Sequence, residues 1–224
     1  MKRWGDVNLS ESSKRNHTLS EEVLRLGKVY VAAKNMRGAW AERPPGVTIV
    51  DVTSAQGKAS KNRRDFSPMT DRAYEGFLNF EAWWQSAKVF EGVPRERSLA
   101  WWRGIQEPKR RYPGSKGKKV LHADFGHGTP LNYIDSRIQQ YVPKYNAVMV
   151  ETEMGSYWLD QVQKGQDVVI YDFDGPRLPD GTPNCLEVTL ELLREKLHYE
   201  RHPFGHGYVV AAHLAGIPVE AYCF

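Results

Sequence analysis

The chain has 224 residues, with 31 lysines and arginines against 27 aspartates and glutamates, for a net charge of +4. That length suffices for one large domain or two small ones with a full core. No run of about 18 apolar residues is present to cross a membrane, and the two cysteines, Cys185 and Cys223, are too few for a disulfide framework or a zinc site.

The first residues, MKRWGDVNLSESSKRNH, are polar and lack the apolar segment of a secretory signal. Residues 1–17 therefore read as a flexible arm, and a cytoplasmic location is expected. Thr18 to Glu21 has capping-box spacing, and Val23, Leu26, Val29, Tyr30 and Ala33 follow with a helical period, predicting a helix that runs up to Gly38. Pro44-Pro45-Gly46 breaks the chain. Val47 to Thr53 is β-branched and short, a strand. A small, basic loop from Ser54 to Arg64 leads into Phe66-Ser67-Pro68-Met69.

The next stretch, Tyr74 to Phe90, reads as one helix with apolar bulk on most sides. Glu81, Gln85 and Lys88 are spaced i, i+4, i+7, which stacks them along one helix face. That stripe either meets water, as on any amphipathic helix, or lines a pocket. In the second case a carboxylate among Phe77, Phe80 and Trp84 is open to desolvation, which suits it to proton transfer.

A second helix is expected from Pro94 to Ile105, followed by the Pro/Gly-rich basic loop Lys109 to Lys119. Val120 to Asp124 fits a brief strand or a helical turn, and Ile134 to Ala147 and Trp158 to Val162 read as helical. Val168 to Asp172 is a buried strand entering the turn Phe173-Asp174-Gly175-Pro176. Leu186 to Leu197 shows a leucine period of helical type, with its start marked by Asn184. Tyr208 to Leu214 fits a short helix or strand. No long linker or composition break separates these pieces, so residues 18–224 are expected to form a single α+β domain. The tetrapeptide Phe-Gly-His-Gly occurs at Phe125–Gly128 and again at Phe204–Gly207, without similarity around it, and reads as a coincidence.

The basic stretches Lys58 to Arg64 and Lys109 to Lys119 suit phosphate contacts through side-chain charge and free backbone N–H groups. A nucleotide, a nucleic-acid backbone or plain solvent all satisfy them. Arg64, Lys109, Arg110 and Arg111 are the phosphate-binding candidates, since an arginine fork suits a pyrophosphate bidentately. The doublets Trp83-Trp84 and Trp101-Trp102 are core material, from which Trp84 or Trp102 can also face a base. His122 and His127 flank Asp124 without a matched ligand pair elsewhere, so no metal is expected. His202, His206 and His213 read as loop and core residues. No phosphate-binding P-loop, dinucleotide fingerprint or nucleophile elbow is present, and no cofactor is expected.

Three pieces in chain order carry a resemblance: the strand and turn ending in Phe66-Ser67-Pro68-Met69; the Glu81-x-x-x-Gln85-x-x-Lys88 pattern with Trp84 before the glutamine; and Asn184-x-Leu186 followed by Leu190, Leu193 and Arg194. Together they resemble the NADAR family of enzymes of N-glycosidic bonds. That family includes hydrolases of ADP-ribose linkages to guanine and N-glycosidases of early riboflavin intermediates. Met69, Ala82 and Glu187 depart from its pattern. Its Trp-Gly-x-Gly turn has only Tyr171-Asp172-Phe173-Asp174-Gly175 as a counterpart.

The resemblance implies a compact, mostly helical α+β domain with a small sheet, its core at about residues 47–197 and a C-terminal extension beyond. It also implies a hydrolase of a nucleotide-like or ADP-ribosyl substrate. Glu81 matches the family's glutamate, and Ser67, Gln85, Lys88 and Asn184 match substrate-binding positions.

Cleaving an N-glycosidic bond builds positive charge on the ribose and negative charge on the departing base, which a carboxyl group at the anomeric carbon relieves. Glu81 is the expected acid/base residue. Asp172 or Asp174, at the end of a buried strand, either supplies a second carboxylate or merely caps a turn. Partners follow: a nucleotide-like small molecule or an ADP-ribosylated nucleic acid, with backbone contacts through the basic loops, and no membrane. Other readings are a transferase using the same pocket, a non-catalytic nucleic-acid-binding protein, and an inactive relative that senses a nucleotide.

Overall fold

The computed structural model describes residues 25–70 and 72–224. The expected arm and the beginning of the first expected helix, through Leu24, lie outside the described residues. The strands and helices, in chain order, are β1 (Val29–Ala33), β2 (Thr48–Asp51), α1 (Lys61–Phe66), α2 (Phe80–Ser86), β3 (Lys88–Phe90), α3 (Arg95–Gly104), β4 (Val120–Ala123), α4 (Tyr133–Ser136), a π-helical turn (Arg137–Tyr141), α5 (Val142–Val150), α6 (Glu153–Gln163), β5 (Val168–Asp172), β6 (Cys185–Glu187), α7 (Leu190–His198), α8 (His206–Leu214) and α9 (Val219–Cys223). Helices outweigh strands, in keeping with a mixed helix-and-sheet domain. Among the described residues, no helix is long and apolar enough to cross a membrane.

The main sheet has the order β2-β5-β1-β6. β5 runs parallel to both β2 and β1, while β6 is antiparallel to β1. Every residue of β5 is buried, as a parallel strand covered on both faces requires, and its Val-Val-Ile run reads accordingly. On one face Val31, Val50 and Ile170 join the large core beneath the helices. On the other, Ala32, Val169 and Tyr171 pack against Ala41 and Val47, and the Tyr171 hydroxyl donates to the Ala41 carbonyl at 2.7 Å.

Two expected helices are corrected here. Val29 to Ala33 is a strand, because its alternating valines sit between β5 and β6 and tertiary pairing overrides a short helical period. Likewise Cys185 to Glu187 pairs with Tyr30 to Ala32, so the leucine helix begins only at Leu190, where the Thr189 side chain caps it by accepting from the Leu192 N–H. The long Tyr74–Phe90 helix is also shorter than expected. Asn79 caps its start by accepting from the Ala82 N–H at 2.8 Å, and the chain turns at Ala87 into β3, which pairs antiparallel with β4.

The C-terminal region is no appendage. α8 packs on β5, β1, α5 and α6, and α9 on α5 and α7. β1 and α8 therefore contribute to the hydrophobic core. Beneath α2, Phe80, Trp83 and Trp84 interlock with Tyr74, Phe125, Tyr141 and Tyr145 at ring separations of 4.9–6.1 Å. That cluster anchors the helix whose polar edge faces the site.

Candidate functional site

The parallel strands end at a common edge of the sheet, and a cleft of about 500 Å³ opens off it. In parallel sheets the crevice beyond the strand carboxyl ends is where ligands bind. Ser54 comes from the loop after β2, and Asp172, Phe173 and Asp174 from the end of β5.

The opposite wall is α2. Glu81 and Gln85 face the cleft, one helical turn apart, and the Gln85 amide donates to Glu81 Oε1 at 2.8 Å. The turn Ser67-Pro68-Met69 also lines the cleft; its Pro68 carbonyl accepts from the Glu81 backbone N–H at 2.9 Å. Lys88 reaches the same space, though not along the helix as expected. It is the first residue of β3, and the turn at Ala87 brings it back beside Glu81.

Asp172 is 2% exposed and is held by the start of α8. Gly205, at the N-cap of that helix, offers no capping side chain. Asp172 Oδ2 substitutes, accepting from the Gly207 N–H at 2.9 Å; a carboxylate at a helix N-terminus is favoured by the dipole as well. Both glycines are required by this approach: a Cβ at Gly205 would stand 2.5 Å from Asp172 Oδ2, and one at Gly207 would stand 2.6 Å from Asp172 Cβ. Between them, His206 Nε2 meets the Val52 carbonyl at 2.9 Å. A carbonyl only accepts, so Nε2 carries the hydrogen. The other ring nitrogen lies 3.4 Å from Asp172 Oδ2, a contact that becomes an ion pair when the ring is protonated.

The rim is cationic. Arg110, Arg111 and Lys118 from the basic loop line it, with Ser115 and Gly117. Arg110 donates to Ser54 Oγ at 3.3 Å and lies 5.5 Å from the Phe173 ring centroid, contacts that tie the loop to the sheet edge. Carboxyl groups on β5 and α2 and guanidinium and ammonium groups on the basic loop make a site with two electrostatic halves.

Asp174 senses both. Confinement by surrounding protein, then the charges of Asp172 and Glu81, push its carboxyl up to about 6, against the pull of His206 and Arg110. Burial shifts the Lys88 ammonium in the opposite sense, below its ordinary value, with Glu81 opposing and Arg111 and Arg137 assisting.

Comparison of the chain with protein-family models, with curated proteins and with solved structures finds no match.

Eight of the residues singled out in the sequence line this cleft: Ser67, Glu81, Gln85, Lys88, Arg110, Arg111, Asp172 and Asp174. Three do not. Arg64 is bound to Asp65 and Glu153 on the far side of α1, beside a separate hollow. Asn184 sits at the sheet edge, where its side chain accepts from the Cys185 N–H and its carbonyl from the Ala33 N–H. Trp84 is mostly buried against Tyr141 and Phe125 and borders two adjoining hollows instead. Among the described residues, no group of three or more His, Cys, Asp or Glu is arranged to hold a metal ion. Sequence reasoning missed His206 and Ser54 as cleft residues, and it noted Lys118 only as part of the basic loop. The signal for His206 was its pair of flanking glycines: the copy at Phe204–Gly207 clasps Asp172, whereas Gly126, His127 and Gly128 of the other copy lie on an exposed turn.

The raised carboxyl of Asp174 has a consequence for stability. An unfolded aspartate ionises near 3.9, so between about pH 4 and 6 the folded Asp174 holds its proton more readily than the unfolded one, and the Asp174 contribution to stability falls as pH rises across that window. Asp174→Asn is therefore expected to melt at a higher temperature than wild type at pH 7, with the difference shrinking toward zero near pH 4. Thermal unfolding followed by circular dichroism across this range measures it. A constant difference at all pH values would contradict the assignment.

Proposed function

We propose that the chain hydrolyses an N-glycosidic bond in a nucleotide-like or ADP-ribosyl substrate, with Glu81 as the acid/base carboxylate, as a divergent relative of the NADAR enzymes. One observation carries this reading: Glu81, Asp172 and Asp174, from two elements far apart in sequence, meet in a single cleft beneath the basic loop. A phosphorylated glycoside matches that division, with its phosphate toward Arg110, Arg111 and Lys118 and its ribose over the carboxyl groups.

In the reaction the bond from the anomeric carbon to the base nitrogen breaks, and its electron pair leaves with the base. Water adds to the anomeric carbon and loses a proton, and the base nitrogen gains one. Carboxylate charge near the sugar stabilises the oxocarbenium-like transition state. Glu81 moves the proton, with the Gln85 amide fixing its orientation. Asp174, able to hold a proton at mildly acidic pH, assists at the leaving group or at water, and Asp172 stays anchored to α8.

A second reading places the glycoside on a nucleic acid. Support comes from a separate hollow lined by Lys58, Arg63, Arg64 and Arg72 beside Asp65 and Thr70, whose excess of positive charge suits a phosphate backbone.

The test is chromatographic hydrolysis of an ADP-ribosylated guanine nucleotide, the same adduct on DNA, NAD, and an aminopyrimidine ribose phosphate. Release of free base from one of them is expected, and a preference for the DNA-borne adduct that fades with added salt would favour the second reading. No cleavage anywhere, with tight salt-sensitive binding to DNA or RNA, would replace the enzyme with a nucleic-acid-binding protein.

A further inference from the structure

Two smaller hollows continue the cleft past Lys88. The first, of about 170 Å³, shares Glu81, Gln85, Lys88 and Asp174 with the main cleft and adds Trp84 and Tyr133. The second, of about 330 Å³, shares Trp84, Lys88 and Tyr133 with the first and Val120 with the main cleft, and it ends on Leu121 and His122 of β4. The shared walls make one groove with Lys88 at its waist. Its two ends differ in chemistry: arginines and lysine at the rim of the main cleft, aromatic and aliphatic side chains at the far end.

That far end is unusually apolar for an accessible surface. Val120, Leu121 and Tyr133 are 45%, 52% and 42% exposed. The Tyr133 ring is held in place by the Arg137 guanidinium, 3.9 Å from its centroid, and Arg137 is itself fixed by the carbonyls of Leu197, Tyr199 and His202. Trp84 is immobilised in the aromatic cluster beneath α2. Rigid rings at the end of a groove favour a flat, polarisable ligand, since stacking there costs little side-chain ordering. His122, half-buried on β4, offers a polar atom for the edge of such a ring.

We propose that this aromatic end seats a planar heterocyclic base, so that a nucleoside 5′-monophosphate lies lengthwise in the groove. Its phosphate sits at the rim formed by Arg110, Arg111 and Lys118, its ribose over Glu81 and Asp174, and its base against Trp84, Tyr133 and Leu121. This seating rests on the N-glycosidase reading and gives it a direction: the departing group leaves toward Leu121 and His122 of β4, away from the two arginines. The anomeric carbon, which lies between ribose and base, then falls beside Glu81 and Asp174, the two carboxyl groups among the four residues common to the main cleft and the first hollow.

Calorimetric titration of the full chain with ribose 5-phosphate and with the four common nucleoside 5′-monophosphates tests the seating. At least one nucleotide should bind about tenfold or more tighter than ribose 5-phosphate, the gain expected from stacking one base. Tyr133→Ala and, separately, Leu121→Glu should bring the two affinities together. Both positions are well exposed, and melting curves check that each variant folds. Ribose 5-phosphate binding with no advantage from any base, or an advantage that survives both variants, overturns the aromatic seat alone. Failure of every phosphate compound to bind overturns the seat together with the glycosidase reading beneath it.

Discussion

Glu81→Gln is expected to lower turnover on the cleaved glycoside by about 10²–10⁴-fold, the usual contribution of a positioned acid/base group. The substitution keeps size and shape and removes only the transferable proton and the charge. Glu81 accepts from the Gln85 amide, and a glutamine carbonyl at position 81 can accept that hydrogen bond equally well. Its backbone N–H still reaches the Pro68 carbonyl, and the Asn79 cap of α2 is untouched. The melting temperature should therefore change little while kcat collapses. Single-turnover release of base, measured beside a melting curve, separates the two effects. Undiminished turnover in the folded variant would remove Glu81 from the mechanism. Asp174→Asn offers a contrast in the same assay: it should erase the step near pH 6 from the pH–rate profile, because that step belongs to the Asp174 carboxyl.

The largest loss of stability is expected from Arg137→Ala. Arg137 is only 1% exposed and donates to the carbonyls of Leu197 and Tyr199 at 3.1 Å and of His202 at 2.7 Å. It thereby binds the end of α7 and the following loop to the π-helical turn, and that loop leads directly into the Phe204–Gly207 clasp on Asp172. Truncation leaves buried carbonyls without donors, at about 1–3 kcal/mol for each that water cannot reach. A side-chain cavity adds to the loss. A total of about 3–5 kcal/mol corresponds to a fall of roughly 10 °C in melting temperature for a chain of this size. Arg137→Lys should recover little, since one ammonium cannot reproduce the fork that serves separate carbonyls. A loss below about 1 kcal/mol in either variant would mean that the loop is held by other contacts.

Much of the candidate site was legible because its elements are short-range. The i, i+4 relation of Glu81 and Gln85 is a property of any helix through those residues, and a helix does form there. A run of Val168, Val169 and Ile170 ending in two aspartates reads as a buried strand with a polar terminus, which β5 is. Lys88 reached the cleft by another route: its seven-residue spacing from Glu81 suggested a shared helix face, yet the helix stops before it and a strand delivers it. The spacing pointed to the right residue for the wrong geometric reason.

What the chain determined by itself was the set of local structures whose driving contacts lie within a few residues: the helices α3 and α6, the strands β2 and β5, and the basic character of the 109–119 loop. Tertiary structure decided the rest. Val29 to Ala33 and Cys185 to Glu187 became strands only because β1 finds β5 and β6 more than a hundred residues away, and a helical period that short does not outweigh a sheet ladder on each side. The clasp of Gly205, His206 and Gly207 on Asp172, the choice of Arg110 over Arg64 at the cleft, and the raised carboxyl of Asp174 arise in the same way. Each depends on distances between charges and backbones that folding alone sets, since electrostatic and steric terms act through space and not along the chain.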